Sequence, residues 1–366
     1  MLRVLQVASG DLWAGAEAQL AALVAELARR EDISQAAVLL NEGELATRIR
    51  AAGVPVTVFD ESRLGGLAIL AGIRRVIRAF DPQLVHTHRS KENVLGSLAA
   101  RLEGRRASLR TVHGAPEHAA RWYRPEKRLF YTLDVYAEAH WQQCSVAVSD
   151  ELGARLRAEG RRRVEVIHNG VAEQAPGSGA IVQQGQVGQH APVRVTFLGR
   201  LVPVKRVDLL LDVALALKAP GEGDFHVDIV GEGPLAAPLR ERATQLGLDD
   251  VVTFHGFRSD VPAILSQTNV LVFTSDHEGT PMAALEALAM GVPVVGRAVG
   301  GLVEILDGTP GGYLVTGNDP KVLAAAIRRA AGAGGAAELP PRYQIGTCAT
   351  RYADLYRSLA ANCTKT

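Results

Sequence analysis

Cysteine pairs, long apolar runs and an excess of either charge are all missing from this sequence. Only three cysteines occur in 366 residues, Cys144, Cys348 and Cys363, and none forms a Cys-x-x-Cys motif. An odd number without paired spacing argues against a disulfide framework and favours a reducing cytoplasm. The 40 basic and 39 acidic residues nearly cancel, so no global charge selects nucleic acid or another polyanion as a partner.

The sequence also lacks an uninterrupted apolar run of the about 18 residues that a membrane span needs. It begins with "LRVLQVA", a strand pattern rather than the apolar core of a signal peptide. No Gly-x-Gly-x-x-Gly motif is present, which disfavours a nicotinamide enzyme. Gly10-x4-Gly15 has the spacing of a phosphate-binding P-loop, but Ala16 and Glu17 stand where that loop needs Lys and Ser or Thr.

What the sequence does contain is an alternation of strand patterns with helical patterns, which is typical of parallel sheets with crossover helices. With 366 residues and 47% hydrophobic composition, the chain is long enough for two such α/β domains. The alternation breaks once, over 172–191, which we interpret as a linker. We therefore predict doubly wound domains over 1–171 and 192–340, which face a central cleft where ligands bind at the strand ends.

The last segment, 341–366, has the pattern of a helix with one apolar face. That face carries Tyr352, Leu355, Tyr356 and Leu359. We expect this stripe to be buried against another surface, because an exposed apolar stripe of that length is unfavourable.

The motif with the most chemical content is "SDHEGTPMAALEALAMGVPVV", residues 275–295. Thr280 suits the N-cap of a helix and Pro281 its first turn, which leaves the next two amides available to an anion such as phosphate. Glu278 lies just before this helix and Glu286 lies within it. The two carboxylates are therefore spaced to bind hydroxyls on both sides of a phosphate, as in a sugar–diphosphate–ribose ligand.

Cations are expected to face the same diphosphate. "GRLVPVK" supplies Arg200 and Lys205 directly after the strand pattern "VRVTFL". Two such cations neutralise a diphosphate without a metal ion. Each motif also has an ordinary interpretation by itself: surface cations here, solvated acids on the helix, and a plain strand-to-helix turn for "GEGP" at 231–234.

Together these residues resemble those of glycosyltransferase family 4, whose members are retaining enzymes with the GT-B fold. The resemblance rests on Glu278-x7-Glu286 within "EGTPMAALEALAMGVPVV", on "GRLVPVK", "GEGP" and "VIHNGV", and it covers nearly the whole chain. It implies two Rossmann-like domains, with the helix of 341–366 crossing back to the first. It also implies a nucleotide diphosphate sugar as donor, UDP-linked, and no metal cofactor.

The resemblance gives each motif residue a role. Glu278 contacts the donor sugar and Glu286 the nucleotide ribose, while Arg200 and Lys205 bind the diphosphate. Arg206 follows Lys205 where the family often has glycine. The residues expected to bind the donor are Gly15, Arg200, Lys205, Phe257, Glu278, Gly279, Thr280, Pro281, Met282 and Glu286. Those expected to act in catalysis are His113, Arg200, Lys205 and Glu278.

The first domain carries the remaining candidates. Gly15 is expected to approach the donor phosphate, although Ala14 stands where the family usually has a second glycine. His113 matches the family's histidine and is expected to position the donor sugar or to support the leaving group; a merely packed histidine is the alternative. His86 and His88 share one strand face, but no further ligand completes a zinc set, so a structural or acceptor-side role is favoured.

A basic run with two aromatic residues occupies 101–128. Its members include Arg105, Arg106, Arg110, Arg121, Trp122, Tyr123, Arg124 and Lys127. One interpretation is a solvated surface. The other is contact with an acceptor or an anionic membrane, since basic and aromatic side chains suit such an interface. We therefore predict a cytoplasmic protein with peripheral contact to the inner membrane surface.

The implied function is transfer of a sugar from a nucleotide diphosphate to a glycan, lipid-linked or small-molecule acceptor, with retention at the anomeric carbon. Synthesis of cell-surface polysaccharide or glycoconjugates is the expected setting. Two alternatives stay open: a sugar-nucleotide epimerase of the same fold, and a non-catalytic subunit of a transferase. The intact set of Arg200, Lys205, Glu278 and Glu286 argues against the second alternative.

Overall fold

The structure is a computed structural model. It describes residues 1–11, 13–104, 107–114, 125–172, 192–218, 224–333 and 337–363, without the side chains of 125–131 and 363. The chain divides into two units, Met1–Gly170 with Arg342–Thr366, and Val171–Pro341. Apart from residue 172, the linker predicted over 172–191 lies outside the described residues.

The first unit contains a parallel sheet. Its strands are β1 (Leu2–Ala8), β2 (Ile33–Leu39), β3 (Val56–Val58), β4 (Leu84–Thr87), β5 (Ser108–Val112), β6 (Cys144–Ala147) and β7 (Val164–Val166). Its helices are α1 (Gly15–Ala28), α2 (Glu44–Ala51), α3 (Gly66–Phe80), α4 (Ser90–Leu102), α5 (Pro125–His140) and α6 (Asp150–Ala158). The described strands follow the order β3-β2-β1-β4-β5-β6-β7. Most are buried along their length, as expected for a parallel sheet covered on both faces.

The second unit repeats this architecture. Its strands are β8 (Val193–Leu198), β9 (Phe225–Val230), β10 (Val252–Gly256), β11 (Val270–Phe273), β12 (Val294–Arg297) and β13 (Gly312–Val315). Its helices are α7 (Val207–Leu217), α8 (Ala236–Gln245), α9 (Val261–Leu265), α10 (Met282–Ala289), α11 (Gly301–Leu306) and α12 (Pro320–Gly332). The described strands follow the order β10-β9-β8-β11-β12-β13. Counted within the unit this is 3-2-1-4-5-6, the Rossmann order.

The strand order reverses at one place in each sheet. In the first unit, β1 lies between β2 and β4, and in the second, β8 lies between β9 and β11. Loops that leave the carboxyl ends of two strands at such a point turn to opposite faces of the sheet and leave a crevice between them. The structure therefore indicates where each unit can hold a ligand: after β1 and β4, and after β8 and β11.

The terminal helix α13 (Ile345–Cys363) belongs to the first unit. The predicted stripe of Tyr352, Leu355, Tyr356 and Leu359 is buried, which confirms it. These side chains pack in one cluster with residues of β1, α1, β5 and β6. The C-terminus of the chain thus completes the core of its first domain.

Arg110 of β5 corrects one prediction. It was expected on an exposed basic surface, but it is 8% exposed and lies in a buried ion cluster. Its Nη1 donates to both carboxylate oxygens of Asp134 at 2.9 Å and to Glu138 at 2.9 Å, and Arg161 donates to Glu138 at 2.7 Å. Alternate residues of a strand point to opposite faces of the sheet, and Arg110 of β5 points to the face that α5 covers. Its side chain is therefore buried.

The rest of the basic run is mostly outside the described residues. This applies to Arg105, Arg106, Arg121, Trp122, Tyr123 and Arg124, and to the side chain of Lys127. Membrane contact through 101–128 therefore stays a prediction. Among the described residues, no helix combines the length and the apolar character needed to span a bilayer.

Arg110→Leu should destabilise the first unit strongly. The change removes the cation from the buried Asp134 and Glu138, and breaking a buried ion pair on one side costs about 3–5 kcal/mol. The free energy of unfolding of the first unit is measured by denaturant titration with tryptophan fluorescence, because all three tryptophans fall within 1–170. The matched control is Arg101→Leu at an exposed position of α4, expected to change stability by about 0.5 kcal/mol or less. Equal losses in the two variants would contradict the role of the cluster.

Candidate functional site

The loop between β11 and α10 carries the predicted acids. Helix α10 begins at Met282, and Pro281 occupies its N-cap position with an extended conformation, φ −71° and ψ 107°. The prediction that Thr280 is the N-cap residue is therefore wrong by one position. Because the first amides of a helix have no partner within it, the start of α10 offers N–H groups and a positive helix end to an anion.

Glu278 and Lys205 form an ion pair at the centre of this region. The Lys205 Nζ lies 2.7 Å from each carboxylate oxygen of Glu278, and the Ser275 hydroxyl donates to Oε1 at 2.5 Å. Glu278 is only 5% exposed. Bonds to an ionised carboxylate are among the stronger hydrogen bonds, so these two donors fix its orientation. The sequence predicts both residues as donor ligands; what the structure shows is that they bind each other.

Strand order brings the two together. Lys205 ends a short 3-10 helix, Pro203–Lys205, that follows β8, and Glu278 follows the neighbouring strand β11. Backbone bonds then tie the loops: the amide of Asp276 donates to the Val204 carbonyl at 2.8 Å. The hydroxyl of Thr274 donates to the Lys205 carbonyl at 3.0 Å. The ion pair therefore lies at the reversal of strand order in the second sheet.

Arg206 adopts a conformation that explains why glycine is frequent there. Its φ of 49° and ψ of 45° lie in the left-handed region. For a residue with a side chain this conformation costs about 1–2 kcal/mol of free energy, whereas glycine adopts the conformation freely. The guanidinium contacts Asp208 at 3.1 Å and Asp276 at 3.3 Å. These ion pairs hold the strained residue in place. The turn after Lys205 therefore keeps its left-handed conformation, although arginine stands where the family often has glycine.

Arg297, at the end of β12, was not recognised from the sequence. Its Nη1 donates to the carbonyls of Thr274 and Ser275 at 3.3 and 3.0 Å and to Asp276 at 2.5 Å. Hydrogen bonds from Arg297, together with the charge of Arg206, lower the pKa of Asp276. Arg297 thus supports the loop that leads to Glu278. Its only sequence signal is a basic residue at the end of a buried strand.

Two glycines hold the other side of that loop. A Cβ on Gly300 would lie 2.0 Å from the carbonyl oxygen of Glu278, and a Cβ on Gly301 only 1.7 Å from that of Gly279. The Gly301 amide donates to the Glu278 carbonyl at 2.9 Å. Backbone therefore packs directly on backbone, which only glycine allows. The pair "GG" at the end of a strand pattern was the available signal, and it was missed.

The glycines of the "GEGP" turn hold the loop after β8 in the same way, by letting backbone pack directly on backbone. A Cβ on Gly231 would lie 1.8 Å from the Gly199 carbonyl oxygen, and one on Gly233 would lie 2.3 Å from that of Leu201. The Leu201 amide donates to the Glu232 carbonyl at 2.8 Å. The loop that carries Arg200 and leads to Lys205 is thus held by glycine contacts as well. Residues 231–234 thus form the strand-to-helix turn of the ordinary interpretation, and this turn also supports the loop of Arg200.

The remaining donor-side candidates lie in the same unit. Arg200 is exposed in the loop after β8, and Phe257 is 58% exposed directly after β10. Glu286 is half-buried on α10. Of the predicted set, the contacts above join Lys205 to Glu278, and the Gly279–Met282 segment follows Glu278 directly in the chain. Arg200 and Phe257 lie after strands and Glu286 lies on α10, and their donor contacts stay predictions.

Gly15 is the first residue of α1 in the first unit and is exposed. Ala14 before it has φ −143° and ψ −175°, an extended conformation open to any residue. The second glycine of the family pattern is therefore not needed for this backbone. Nearby, Arg89 after β4 donates to Asp11 at 3.2 Å and to Glu17, which links the loops of the two neighbouring strands β1 and β4.

His113 follows β5 directly and is half-buried. Its Nε2 lies 3.2 Å from Nδ1 of His88, and its Nδ1 is buried without a hydrogen-bond partner among the described residues. Burial, with the nearby charges of Arg89 and Arg110, lowers the pKa of His113 to about 4, so its ring is neutral at pH 7. An unpartnered ring nitrogen of histidine is able to donate or accept one further hydrogen bond.

His86 is a structural residue. Its Nδ1 lies 2.7 Å from the hydroxyl of Tyr356 and its Nε2 lies 2.8 Å from that of Thr111. Both ring nitrogens are therefore used within the core. Of the structural and acceptor-side roles that were expected, this arrangement favours the structural one for His86.

Comparison with known proteins gives one consistent family. The family model described as Glycosyltransferase Family 4 matches residues 13–175, and the one described as Glycosyl transferases group 1 matches residues 192–332. A 2-deoxystreptamine N-acetyl-D-glucosaminyltransferase from Streptomyces fradiae is 30% identical over 310 residues, 79% of this chain and 72% of the relative. An Escherichia coli UDP-Gal:alpha-D-GlcNAc-diphosphoundecaprenol alpha-1,3-galactosyltransferase is 28% identical over 283 residues, 74% of this chain and 72% of the relative.

A solved structure shows the fold. The Anabaena protein Alr3699/HepE, in complex with UDP and glucose, has a TM-score of 0.80 and 23% identity, over 98% of this chain and 100% of that one. This likeness confirms the predicted GT-B class with two Rossmann-like domains. With the family models and the relatives, it confirms the resemblance read from the motifs: the chain belongs to the family 4-type glycosyltransferases and is a hexosyl-transferring enzyme.

Proposed function

We propose that this protein is a retaining glycosyltransferase that moves a hexosyl group from a UDP-sugar to a glycan or lipid-linked acceptor, as in the synthesis of cell-surface polysaccharide or glycoconjugates. The observation that carries the proposal is the pair of Lys205 and Glu278 beside the start of α10. A sugar diphosphate needs a carboxylate for its hydroxyls, a cation for its charge and N–H groups for its oxygens. These three groups meet at the reversal of strand order in the second sheet.

The donor assignment extends from this pair to its neighbours. We assign the diphosphate to Arg200 and Lys205, the donor sugar to Glu278 and the ribose to Glu286. Phe257 and the Gly279–Met282 segment complete the donor contacts. Two comparisons support UDP as the nucleotide: the Escherichia coli relative is named for UDP-Gal, and the Anabaena structure contains UDP and glucose.

The transfer step follows from charge development. The bond from the anomeric carbon to the diphosphate oxygen breaks as a bond to the acceptor oxygen forms on the same face. The acceptor's hydroxyl proton passes to the leaving phosphate oxygen. Negative charge grows on the diphosphate in the transition state, where Lys205, Arg200 and the first amides of α10 stabilise it. Because these groups supply the positive charge, we propose that no metal ion is required.

The identity of the acceptor is less narrowly defined by the comparisons than that of the donor. The two relatives act on a diphosphoundecaprenol-linked sugar and on 2-deoxystreptamine, as their names state. These names support a lipid-linked or glycan acceptor as the first candidate, with a small molecule as the second. Contact of 101–128 with a membrane surface would suit the lipid-linked candidate.

Transfer assays test the proposal directly. The protein is incubated with labelled UDP-glucose, UDP-galactose and UDP-N-acetylglucosamine, with and without bacterial lipid extract, in excess chelator. We expect sugar transfer that depends on the extract, with the anomeric configuration retained in the product. Interconversion of the donor without extract would identify an epimerase instead, and inactivity with every donor and extract would support a non-catalytic subunit. Loss of activity in chelator that Mn²⁺ or Mg²⁺ restores would overturn metal independence.

Lys205→Ala should lower kcat by about 100-fold or more, the scale of losing one preorganised charge-stabilising group. The reason is that Lys205 faces charge that grows as the glycosidic bond breaks, so its contribution is larger in the transition state. Lys205→Arg should restore only part of the lost kcat, because a planar guanidinium does not replace the point charge of a lysine at the same reach. Steady-state kinetics at saturating donor measures both variants.

The control for Lys205 is Lys218→Ala, which removes an exposed cation at the end of α7 that pairs with Asp250. It should leave kcat unchanged. Circular dichroism confirms that each variant is folded. A rise in the Michaelis constant of Lys205→Ala without a fall in kcat would make Lys205 a binding residue only and refute its place in the mechanism.

A further inference from the structure

A chain of buried hydrogen bonds in the first unit leads from a backbone carbonyl to His113. The Gln35 Nε2 donates to the Val24 carbonyl at 2.9 Å, and the Gln6 Nε2 donates to the Gln35 Oε1 at 3.4 Å. The Gln6 Oε1 lies 3.3 Å from Nε2 of His88, whose Nδ1 lies 3.2 Å from Nε2 of His113. Gln6, Gln35 and His88 are all buried.

The first member of the chain decides the direction of the next two. A backbone carbonyl can only accept a hydrogen bond, so the Val24 carbonyl requires the amide nitrogen of Gln35. The oxygen of Gln35 then faces Gln6 and requires the amide nitrogen of Gln6 in turn. Turning either amide around would set two acceptors against each other. The orientation of Gln6 is therefore fixed from the backbone.

The same logic continues through the histidines. Because the oxygen of Gln6 faces the Nε2 of His88, that nitrogen must carry the hydrogen. A neutral imidazole has one N–H, so the Nδ1 of His88 is an acceptor. The Nε2 of His113 must then carry its ring's hydrogen and donate to it. This leaves the Nδ1 of His113 with a lone pair, and it is the ring nitrogen that is buried without a partner among the described residues.

The tautomer argument needs neutral rings, and the surroundings make them neutral. Burial lowers the pKa of His88 well below its ordinary value, and the neighbouring His86, His113 and Arg89 act in the same direction. His113 has a pKa of about 4 for the reasons given above. Each ring therefore holds a single N–H at neutral pH, and its hydrogen-bond partners choose the position.

We propose that Gln35, Gln6 and His88 are positioning residues that hold His113 in one tautomer, with its Nδ1 as a hydrogen-bond acceptor. The functional reading rests on the proposed function, in which His113 meets a substrate. An acceptor nitrogen takes a hydrogen bond from a sugar hydroxyl and repels a phosphate oxygen. Of the two roles expected for His113, the geometry thus favours positioning a sugar over supporting the leaving diphosphate.

A second branch of the network supplies an internal control. The Gln6 Nε2 also lies 3.4 Å from the hydroxyl of Tyr356, which bonds the Nδ1 of His86 at 2.7 Å. This branch shares Gln6 but is not needed for the path from Val24 to His113. Tyr356→Phe therefore removes one buried polar group of the same network while the path to His113 stays complete.

Nitrogen NMR of ring-labelled histidine tests the proposal. The chain has 10 histidines, and the His113 signals are identified by their loss in His113→Asn. Protonated and bare ring nitrogens have well-separated shifts, so the tautomer is read directly. We expect a protonated Nε2 and a bare Nδ1 at His113 in the unmodified protein. A protonated Nδ1 there would overturn the proposal without any variant.

Variants test the positioning residues. Gln6→Met removes the acceptor for His88, so His88 and His113 should both become mixtures of tautomers, whereas Tyr356→Phe should leave His113 unchanged. Gln35→Met, which frees Gln6 to turn, should act in the same direction as Gln6→Met and replaces it if that variant does not fold. An unchanged His113 tautomer in a folded Gln6 or Gln35 variant would also overturn the proposal.

Kinetics separates this proposal from the proposed function. In the transferase assay, Gln6→Met should lower kcat/KM by about 2- to 10-fold, the scale of one hydrogen bond, and Tyr356→Phe should not. Equal losses in the two variants would indicate a structural effect and count against positioning. If the tautomers respond as expected but the unmodified protein transfers no sugar, the proposed function fails while the positioning of His113 stands.

Discussion

Direct packing of backbone on backbone, possible only at glycine, is the constraint on which the candidate donor site around Glu278 depends. Gly300 and Gly301 lie against the carbonyls of Glu278 and Gly279, closer than any Cβ would permit. From the other side, Arg297 holds the carbonyls that precede Glu278. With the loop fixed on both sides, the carboxylate of Glu278 and the ammonium of Lys205 meet at 2.7 Å. The ion pair is thus a consequence of how the loop backbone is held.

The first unit orients its candidate residue with hydrogen bonds instead. There a backbone carbonyl fixes Gln35, then Gln6, then the ring of His88 and finally that of His113. His113 follows the carboxyl end of β5 and Glu278 follows that of β11, which are the strand ends where such folds leave room for ligands. In each, groups that cannot change their role, a carbonyl or a glycine backbone, orient the groups to which the proposed function assigns the chemistry.

Periodic features were predictable from the sequence, and pairings between distant residues were not. The strand–helix alternation and the terminal stripe at Tyr352 and Tyr356 follow from local spacing. Lys205 and Glu278 could each be recognised by motif, but their mutual bond depends on β8 and β11 being neighbours. Arg110 was misread because its partners lie 24 and 28 residues away on α5. Gln6 was missed because a single polar residue in a strand gives no local signal.

The affinity for UDP measured by calorimetry tests the central claim most directly. Gly301→Ala must displace the loop at Gly279, and losing one hydrogen bond to a charged phosphate costs about 1.5–3 kcal/mol, which is roughly 10- to 100-fold in affinity. We predict about 10- to 100-fold weaker UDP binding in folded Gly301→Ala. Gly332→Ala, at the end of α12, is the control, because a Cβ there meets no described atom within 4 Å. Equal UDP affinity of Gly301→Ala and the unmodified protein would contradict the account.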